Sequence, residues 1–225
     1  MAHMVAQHFN PADITVLHYN HKLKPSADEE AEFVQTHMVK LGFKVLVGER
    51  VEDWNGNLQQ AARQARYAFF KQHTKTILMA HTADDVAENF IMRLGRGSGL
   101  KGLAGLQEMS RQEGMLVVRP MLAMGREDIR AYLKKHNLSY IDDPANEDEQ
   151  FLRVRVRKLK EAFAEAGLSF EALAASTQSL QRADAALEHY TEQAQSQLCA
   201  FENETASVQK ELFSQPLEVQ LRLVE

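Results

Sequence analysis

The sequence has little cysteine and no long hydrophobic run, and these two absences exclude several classes of protein. Its 225 residues include one cysteine, Cys199, so neither an internal disulfide nor a CxxC redox or zinc motif can form. No apolar run approaches the roughly 18 residues that a membrane span needs, and the first residues lack a signal-peptide pattern. We therefore expect no membrane segment and, because a single free thiol suits a reducing compartment, a cytoplasmic location.

The composition is that of a globular protein with an uneven charge distribution. Hydrophobic residues make up 44% of the chain, which is enough to form a core. The net charge is −5, but residues 168–225 carry three basic and nine acidic residues, a net of −6, which leaves residues 1–167 at +1. A polyanion is therefore expected to bind a local basic patch in the first part of the chain.

Short apolar segments alternate with amphipathic segments along the first two thirds of the chain. The pattern predicts strands at residues 14–18, 44–47, 76–80 and 115–118, and helices at 28–41, 57–71, 83–94 and 127–136. Such βαβ units predict an α/β fold with a parallel sheet that helices cover on both faces. Ligands bind beyond the carboxyl ends of such strands, so residues 18–23, 51–57 and 81–85 are candidates for the site.

The character of the sequence changes after Gly167. Residues 170–198 are rich in alanine, with Leu173, Leu180 and Leu187 one heptad apart, and this predicts a long helix leading into a partial all-α domain. We predict an α/β domain at residues 1–165 and a linker helix with the start of a helical domain at 166–225. Because the chain opens on a predicted helix with no preceding strand and stops in a helical pattern, we expect truncation at both ends.

The segment His81-Thr-Ala-Asp-Asp85 is the first candidate for chemistry. His81 and Asp85 are four residues apart and can face one ligand at the start of a helix, where a carboxylate can hold Mg²⁺ or accept a proton. Thr82 and Asp85 also have the spacing of a helix capping box, which explains an acid here without any catalysis. Both interpretations stay open.

Three further segments have both a functional and a structural interpretation. Gly95, Gly97 and Gly99 can cradle an anion or simply end a helix. The basic run Arg153-Val-Arg155-Val-Arg157-Lys-Leu-Lys160 can bind RNA phosphates, form a solvated helix face, or pair with the acidic residues 142–149. His18 at a strand end, with Arg63 and Arg66 on the next helix, can bind a nucleotide or serve the fold alone.

An ordered set of motifs resembles the tRNA(Ile)-lysidine synthetase family of the ATP-pyrophosphatase (PP-loop) group. The resemblance extends to about residue 165, and its stretches are His18-Tyr-Asn-His21-Lys-Leu23, Ala61-Ala-Arg-Gln-Ala-Arg-Tyr67, Ala80-His-Thr-Ala-Asp-Asp85, Leu94-Gly-Arg-Gly-Ser-Gly-Leu-Lys-Gly-Leu103, Arg119-Pro-Met-Leu122, Asp142-Asp-Pro-Ala-Asn146 and Arg153-Val-Arg-Val-Arg157. It implies a Rossmann-like nucleotide-binding domain of the adenine nucleotide α-hydrolase type. Members of the family use ATP to adenylate the wobble cytidine of a CAU-anticodon isoleucine tRNA, and free lysine then displaces AMP to form lysidine.

The resemblance also implies roles for individual residues. His81 and Asp85 occupy active-site positions, with Asp85 as the candidate Mg²⁺ ligand. ATP binding is implied for His18, Arg63 and Asp84. For Arg153, Arg155 and Arg157 the resemblance implies tRNA binding or a place at the reacting centre. The expected cofactors are ATP and Mg²⁺, and the expected partners are tRNA(Ile) and free lysine; a homodimer is an assembly that the sequence permits.

The sequence also departs from the family pattern. Lys22 stands where glycine is usual, Val86 and Asn89 replace glutamine and threonine, and Val154 replaces asparagine. The family's Ser-Gly-Gly-x-Asp-Ser pyrophosphate loop does not occur, so we expect the chain by itself to bind ATP poorly, to be inactive and, with a sheet edge exposed, to be poorly soluble. Two alternatives remain, namely a non-catalytic tRNA-binding relative and a tRNA thiolation enzyme, although the single Cys199 counts against the second.

Overall fold

The computed structural model describes residues 1–51, 56, 58–141, 147–202 and 205–224, and the side chain of Phe201 is not described. The chain forms two compact units. Unit 1 comprises residues 1–82 and 108–146, and unit 2 comprises residues 83–107 and 147–225. The candidate segment 142–146 and most of 51–57 lie outside the described residues.

The helices and strands follow one another in an order close to the one that the sequence predicts. In chain order they are α1 (Ala2–His8), β1 (Thr15–Asn20), α2 (Ala27–Lys40), β2 (Lys44–Glu49), α3 (Leu58–His73), β3 (Thr76–Leu78), α4 (Ala83–Leu94), α5 (Leu100–Leu103), β4 (Met109–Gln112), β5 (Met115–Val118), α6 (Arg126–Lys135), α7 (Leu152–Lys158), α8 (Lys160–Glu165), α9 (Phe170–Leu198), β6 (Cys199–Glu202), β7 (Thr205–Val208) and α10 (Leu217–Val224). Short 3-10 turns lie at Pro11–Asp13 and Lys210–Ser214.

The strands of unit 1 confirm the α/β fold class with parallel pairing. β1 pairs in parallel with β2 from Thr15 opposite Lys44 to Asn20 opposite Glu49, and β3 pairs in parallel with β5. β4 adds an antiparallel edge to β5 through a tight turn in which Glu113 and Gly114 both have positive φ, 50° and 80°. This hairpin was not predicted, because the Met-Ser-Arg-Gln sequence of β4 is mostly polar.

The core of unit 1 lies between α3 and the three-stranded sheet that β3, β5 and β4 form. Tyr67 and Phe70 of α3 pack with Met115 and Val117 of β5. Gly48 of β2 allows a close approach of α3, since a Cβ atom at this position would lie 2.7 Å from the ring of Phe69. Among the described residues β1 pairs only with β2, and β3 only with β5. A cavity of about 520 Å³ lies between β1 and β3, and both strands line it.

Unit 2 is built around the 29-residue helix α9. Ala87 of α4, Val156 of α7 and Phe170 of α9 form its buried cluster. The side chain of Gln181 donates from Nε2 to the carbonyl oxygens of Ala104 and Leu106, at 2.8 Å each, and so fastens α9 to the segment after α5. Helices α4 and α5 thus belong with the C-terminal helices, although the predicted domain boundary at residue 165 itself stays a prediction.

Near the end of unit 2, Arg222 of α10 binds three carboxylates, namely those of Asp184, Glu188 and Glu218. The antiparallel pair β6–β7 precedes this helix and was not predicted.

In the part of the chain that the structure describes, no helix combines the length and the apolar character that crossing a membrane requires.

Candidate functional site

The carboxyl end of β1 carries a polar turn. Asn20, the last residue of the strand, is buried; its Nδ2 donates to Asp28 Oδ1 at 2.7 Å, and its Oδ1 accepts from the backbone N–H of Lys22 at 2.9 Å. Lys22 adopts φ +50°, in the left-handed region that favours glycine, so its backbone explains why a glycine suits this position. His18 lies within β1, two residues before Asn20, and His21 directly follows the end of the strand.

Two arginines and two histidines, which become cationic when protonated, gather around this strand end, and we call them the cationic cluster: His18, His21, Arg50 and Arg66. Burial lowers the pKa of His21, and the positive charges of Arg66, His18 and Arg50 lower it further. Burial also lowers the pKa of His18, although Glu30 raises it in part. Arg66 Nε is buried without a hydrogen-bond acceptor among the described residues. Groups of one sign held together in this way favour the binding of an anion.

Arg63 lies one helical turn before Arg66 on α3, but its contacts are with other protein groups. Its Nη2 donates to Gln112 Oε1 at 2.9 Å, and its guanidinium lies 4.5 Å from the ring centroid of Tyr67. The hydroxyl of Tyr67 donates to the same Gln112 oxygen at 2.8 Å. Arg63 therefore orders α3 against β4, whereas the partly buried Arg66, three residues later, belongs to the cationic cluster.

The segment from His81 to Asp85 connects β3 to α4. His81 lies in unit 1 and is half-buried, whereas Asp85 lies in the first turn of α4 in unit 2 and is also half-buried. Thr82 directly precedes α4, at the position that a capping box requires. Both the catalytic and the capping interpretation of this segment therefore remain compatible with the structure.

Two acidic residues of α4 are buried and paired with basic residues of unit 2. Asp84 is 6% exposed, and its Oδ1 accepts a hydrogen bond from Lys160 Nζ at 2.9 Å. Glu88 is 0% exposed and pairs with Arg157 and Arg153. The sequence patterns assign Glu88 no role and place Lys160 only in the basic run. A signal for the two acids exists, because positions 84, 87, 88 and 91 follow the core spacing of a helix and two of them are carboxylates.

The glycine-rich segment after α4 ends the helix. Gly97 has φ +70°, its N–H donates to the carbonyl of Leu94 at 2.9 Å, and the N–H of Ser98 donates to the carbonyl of Arg93 at 3.1 Å. These two hydrogen bonds and the left-handed glycine are the features of a Schellman C-cap. The geometry thus favours the structural interpretation of this segment over an anion cradle.

The donor set suits a nucleotide polyphosphate better than a metal held by protein alone. The cationic cluster offers positive charge and a buried, unpartnered N–H to phosphate oxygens. Within the described residues, no group of three His, Cys, Asp or Glu side chains could hold a metal ion. Magnesium commonly takes one or two carboxylates and completes its shell with phosphate oxygens and water, so a single carboxylate such as Asp85 is compatible with it.

The parallel strand pairs of unit 1 and the helices that follow them in the chain define an α/β domain. The chain belongs to the PP-loop domain family, which matches residues 1–162. It is similar to the tRNA(Ile)-lysidine synthase of Wolbachia pipientis wMel, with 33% identity over 224 residues that cover 95% of this chain and 51% of the relative. The synthase of Geobacter sulfurreducens is 42% identical over 157 residues, which cover 64% of this chain and 33% of the relative.

The chain spans about half the length of the curated relatives that it matches. A solved structure, the U34-tRNA thiolase NcsA from Methanococcus maripaludis, has the same fold with a TM-score of 0.59 at 11% identity, covering 75% of this chain and 61% of that one. The family resemblance and the α/β fold class that the motifs predicted are thereby confirmed. The roles of individual residues stay predictions.

Proposed function

We propose that this chain supplies most of the catalytic region of a tRNA(Ile)-lysidine synthetase. The observation that carries the proposal is the similarity to proteins of that name along nearly the whole chain, 33% over 224 residues. The cationic cluster at the end of β1 supports it, because the reaction requires a site for the ATP polyphosphate. The similarity to the thiolase structure, at 11% identity, supports the fold but not a thiolation activity. Thiolation therefore remains the weaker alternative.

The proposed reaction has two steps. The C2 oxygen of the wobble cytidine attacks the α-phosphorus of ATP, and pyrophosphate leaves with the electrons of the broken P–O bond. The ε-amine of lysine then attacks C2, loses a proton, and expels AMP, which retains the former C2 oxygen. The protein must offset the phosphate charge, hold the base and the amine together, and accept the proton.

We assign these tasks to residues of the motif stretches and of the cationic cluster. His18 and Arg66, together with His21 and Arg50, bind the polyphosphate, and Arg63 orders the helix that carries Arg66. His81 and Asp85 serve the reacting centre, where Asp85 can hold Mg²⁺ against phosphate oxygens or accept the proton from the amine. Asp84, implied as an ATP-binding residue, pairs with Lys160 and fixes the start of α4.

The test is ATP-dependent transfer of labelled lysine to an isoleucine tRNA transcript with a CAU anticodon. A transcript with a GAU anticodon, which has no wobble cytidine, is the matched control substrate. The chain is assayed beside a version extended at its N-terminus through a Ser-Gly-Gly-x-Asp-Ser loop, because the chain alone is expected to bind ATP poorly.

Transfer that requires the CAU anticodon, whether by the extended version alone or by both versions, supports the proposal. We expect His81→Ala and Asp85→Asn to lower the rate by at least about a hundredfold, since each removes a group that acts in general acid–base or charge stabilisation. Failure of both versions to transfer lysine, with folded protein and intact transcript, would sink the ligase assignment in favour of a non-catalytic tRNA-binding relative.

A further inference from the structure

Glu88 is a fully buried carboxylate that the proposed reaction does not use directly. It lies on α4 with an exposure of 0%. Its Oε1 lies 2.9 Å from Arg157 Nε, and its Oε2 lies 3.5 Å from Arg153 Nε, so it lies between two guanidinium groups of α7. A buried carboxylate is stable only when it is paired, and these two arginines provide that pairing.

Both arginines meet Glu88 through Nε, which leaves the rest of each guanidinium group for another ligand. Their side chains are 40% and 27% exposed, for Arg153 and Arg157 respectively. Their terminal nitrogens make no hydrogen bond to any residue in the described ranges. A guanidinium has five donors in a planar fork, so each arginine can bind Glu88 and still present its outer edge to an oxyanion.

The spacing of the two arginines explains why they need the carboxylate of Glu88 between them. Arg153 and Arg157 are four residues apart on α7, so their side chains are neighbours on one helix face. Like charges at this spacing repel, and the carboxylate between them offsets that repulsion. The group keeps one net positive charge, with two guanidinium groups held side by side.

The other cations of α7 have different contacts. Arg155 Nη1 donates to the carbonyl oxygens of Glu149 and Gln150, at 2.7 and 3.1 Å, and Lys158 Nζ lies 2.7 Å from Glu149 Oε1. These contacts hold the segment before α7. Of the three arginines predicted to bind tRNA, the structure thus separates one that holds a loop from two that share a buried carboxylate.

We propose that Glu88 is a positioning residue, which holds Arg153 and Arg157 as a pair that binds one phosphate of the RNA backbone. This inference rests on the proposed function for its choice of RNA as the ligand. In this proposal Arg153 and Arg157 together form the tRNA contact of α7, and we call this pair the clamp. Its geometry depends on Glu88, which does not itself contact the RNA.

The sign of a charge effect distinguishes positioning from simple electrostatics. Glu88→Gln removes a negative charge near the RNA, so electrostatics alone predicts tighter binding, whereas loss of positioning predicts weaker binding. Glu149→Gln is the matched control. It also replaces a carboxylate by an amide, but this carboxylate pairs with Lys158 of α7 and not with the two arginines. We expect Glu88→Gln to raise the Kd for RNA about tenfold and Glu149→Gln to leave it unchanged or lower it.

The measurement is fluorescence anisotropy of a labelled CAU-anticodon isoleucine tRNA transcript, titrated with the whole chain at several salt concentrations. If one phosphate contact is lost, the slope of log K against log salt becomes shallower by about one in Glu88→Gln. Binding by Glu88→Gln that is as tight as the original chain, or tighter, would overturn the positioning role. No RNA binding by the original chain would instead overturn the choice of RNA in the proposed function.

A second arm identifies the source of the phosphate. Binding of a fluorescent ATP analogue is measured with the same substitutions in the version extended at its N-terminus through the Ser-Gly-Gly-x-Asp-Ser loop, and it is expected to be unchanged in Glu88→Gln. A loss of ATP affinity with RNA affinity intact would overturn the assignment to the RNA backbone and place a nucleotide phosphate at the arginine pair.

A further variant keeps the test decisive if Glu88→Gln does not fold. The double substitution Arg153→Lys with Arg157→Lys retains both charges at partly exposed positions but removes the Nε donors and the planar forks. We expect it to stay folded at the assay temperature with a lower Tm, because Glu88 loses its guanidinium partners, and to bind RNA about tenfold more weakly. RNA binding equal to that of the original chain would contradict the clamp.

Discussion

At the scale of the residue, the imidazole of His21 links the stability of the fold to the pH. Burial and the neighbouring charges of Arg66, His18 and Arg50 lower its pKa from the ordinary 6.5, so it is neutral near pH 7. The unfolded chain protonates this group first. The free energy of unfolding therefore falls as the pH drops from 6.5 towards the lower folded pKa.

We predict that inorganic triphosphate raises the pKa of His21 and binds more tightly as the pH falls from about 7.5 to about 6, by several-fold. The added negative charge favours the imidazolium, so binding takes up a proton. An NMR titration of the imidazole C–H signals, with and without triphosphate, measures the pKa directly. His21→Gln is expected to flatten the pH dependence of affinity, whereas His189→Gln, an exposed position in unit 2, is expected to retain it. An unshifted His21 signal in saturating triphosphate would contradict the cationic cluster as an anion site.

The buried acids of α4 show what sequence can and cannot predict about a single residue. Asp84 and Glu88 lie at core spacing on a helix, so the sequence alone indicates that each needs a partner. It cannot indicate which partner, because Arg157 lies 69 positions away from Glu88 and meets it only through the packing of α7 on α4. The motif stretches predict which segments form the site, and that stays a prediction, while the different contacts of Arg63 and Arg66 required the tertiary structure.

At the scale of the element, the end of α4 tests whether the glycine-rich segment binds an anion. Gly97→Ala forces a side chain into a left-handed backbone, which costs about 1 kcal/mol and lowers Tm by about 2–4 °C. Gly95→Ala is the control, since this glycine lacks positive φ and a Cβ atom there would meet only helix carbonyls, at 3.5 and 3.9 Å. Thermal unfolding gives the stability, and titration with triphosphate gives the affinity. Unchanged affinity in Gly97→Ala supports a cap, and a tenfold loss would restore the anion cradle.

The regular elements were predictable wherever the local pattern was strong. Helices α4 and α9 and strand β5 have the predicted bounds, and α2, α3 and α6 differ by one or two residues at each described end. The missed elements are short or polar, namely α5, β4, β6, β7 and the helices of the basic run. A four-residue polar strand forms because a neighbouring strand supplies its hydrogen bonds, and that pairing leaves little trace in its own residues.

At the scale of the whole molecule, the organisation into two units reflects which faces the helices bury. α4 follows β3 directly in the sequence, yet its buried face packs with α7 and α9 in unit 2. The hydrophobic periodicity of α4 indicates that one face is buried, but not what covers it. This is why the sequence predicted the succession of elements well and left the grouping of α4 and α5 to the tertiary structure.

The strand edges of unit 1 lead to a prediction about association. Among the described residues, β1 and β3 each pair on one side only and line a cavity of about 520 Å³, so each has backbone groups available to another strand. Unpaired edges of this kind promote self-association. We expect the chain to form concentration-dependent oligomers or aggregates at micromolar concentrations, as sedimentation velocity would show.

Lysine substitutions on the edge strands β1 and β3 test directly whether unpaired strand edges cause the association. Thr15 begins β1 and Thr76 begins β3, and both are exposed, so Thr15→Lys with Thr76→Lys adds charge along the edges without disturbing the core. We expect this variant to shift the sedimentation profile towards monomer by at least about twofold in monomer fraction, because a charged edge resists pairing. Gln35→Lys adds positive charge on the exposed face of α2 and is expected to have little effect. If Gln35→Lys dissolves the oligomers as well as the edge variant does, net charge and not strand pairing controls the association.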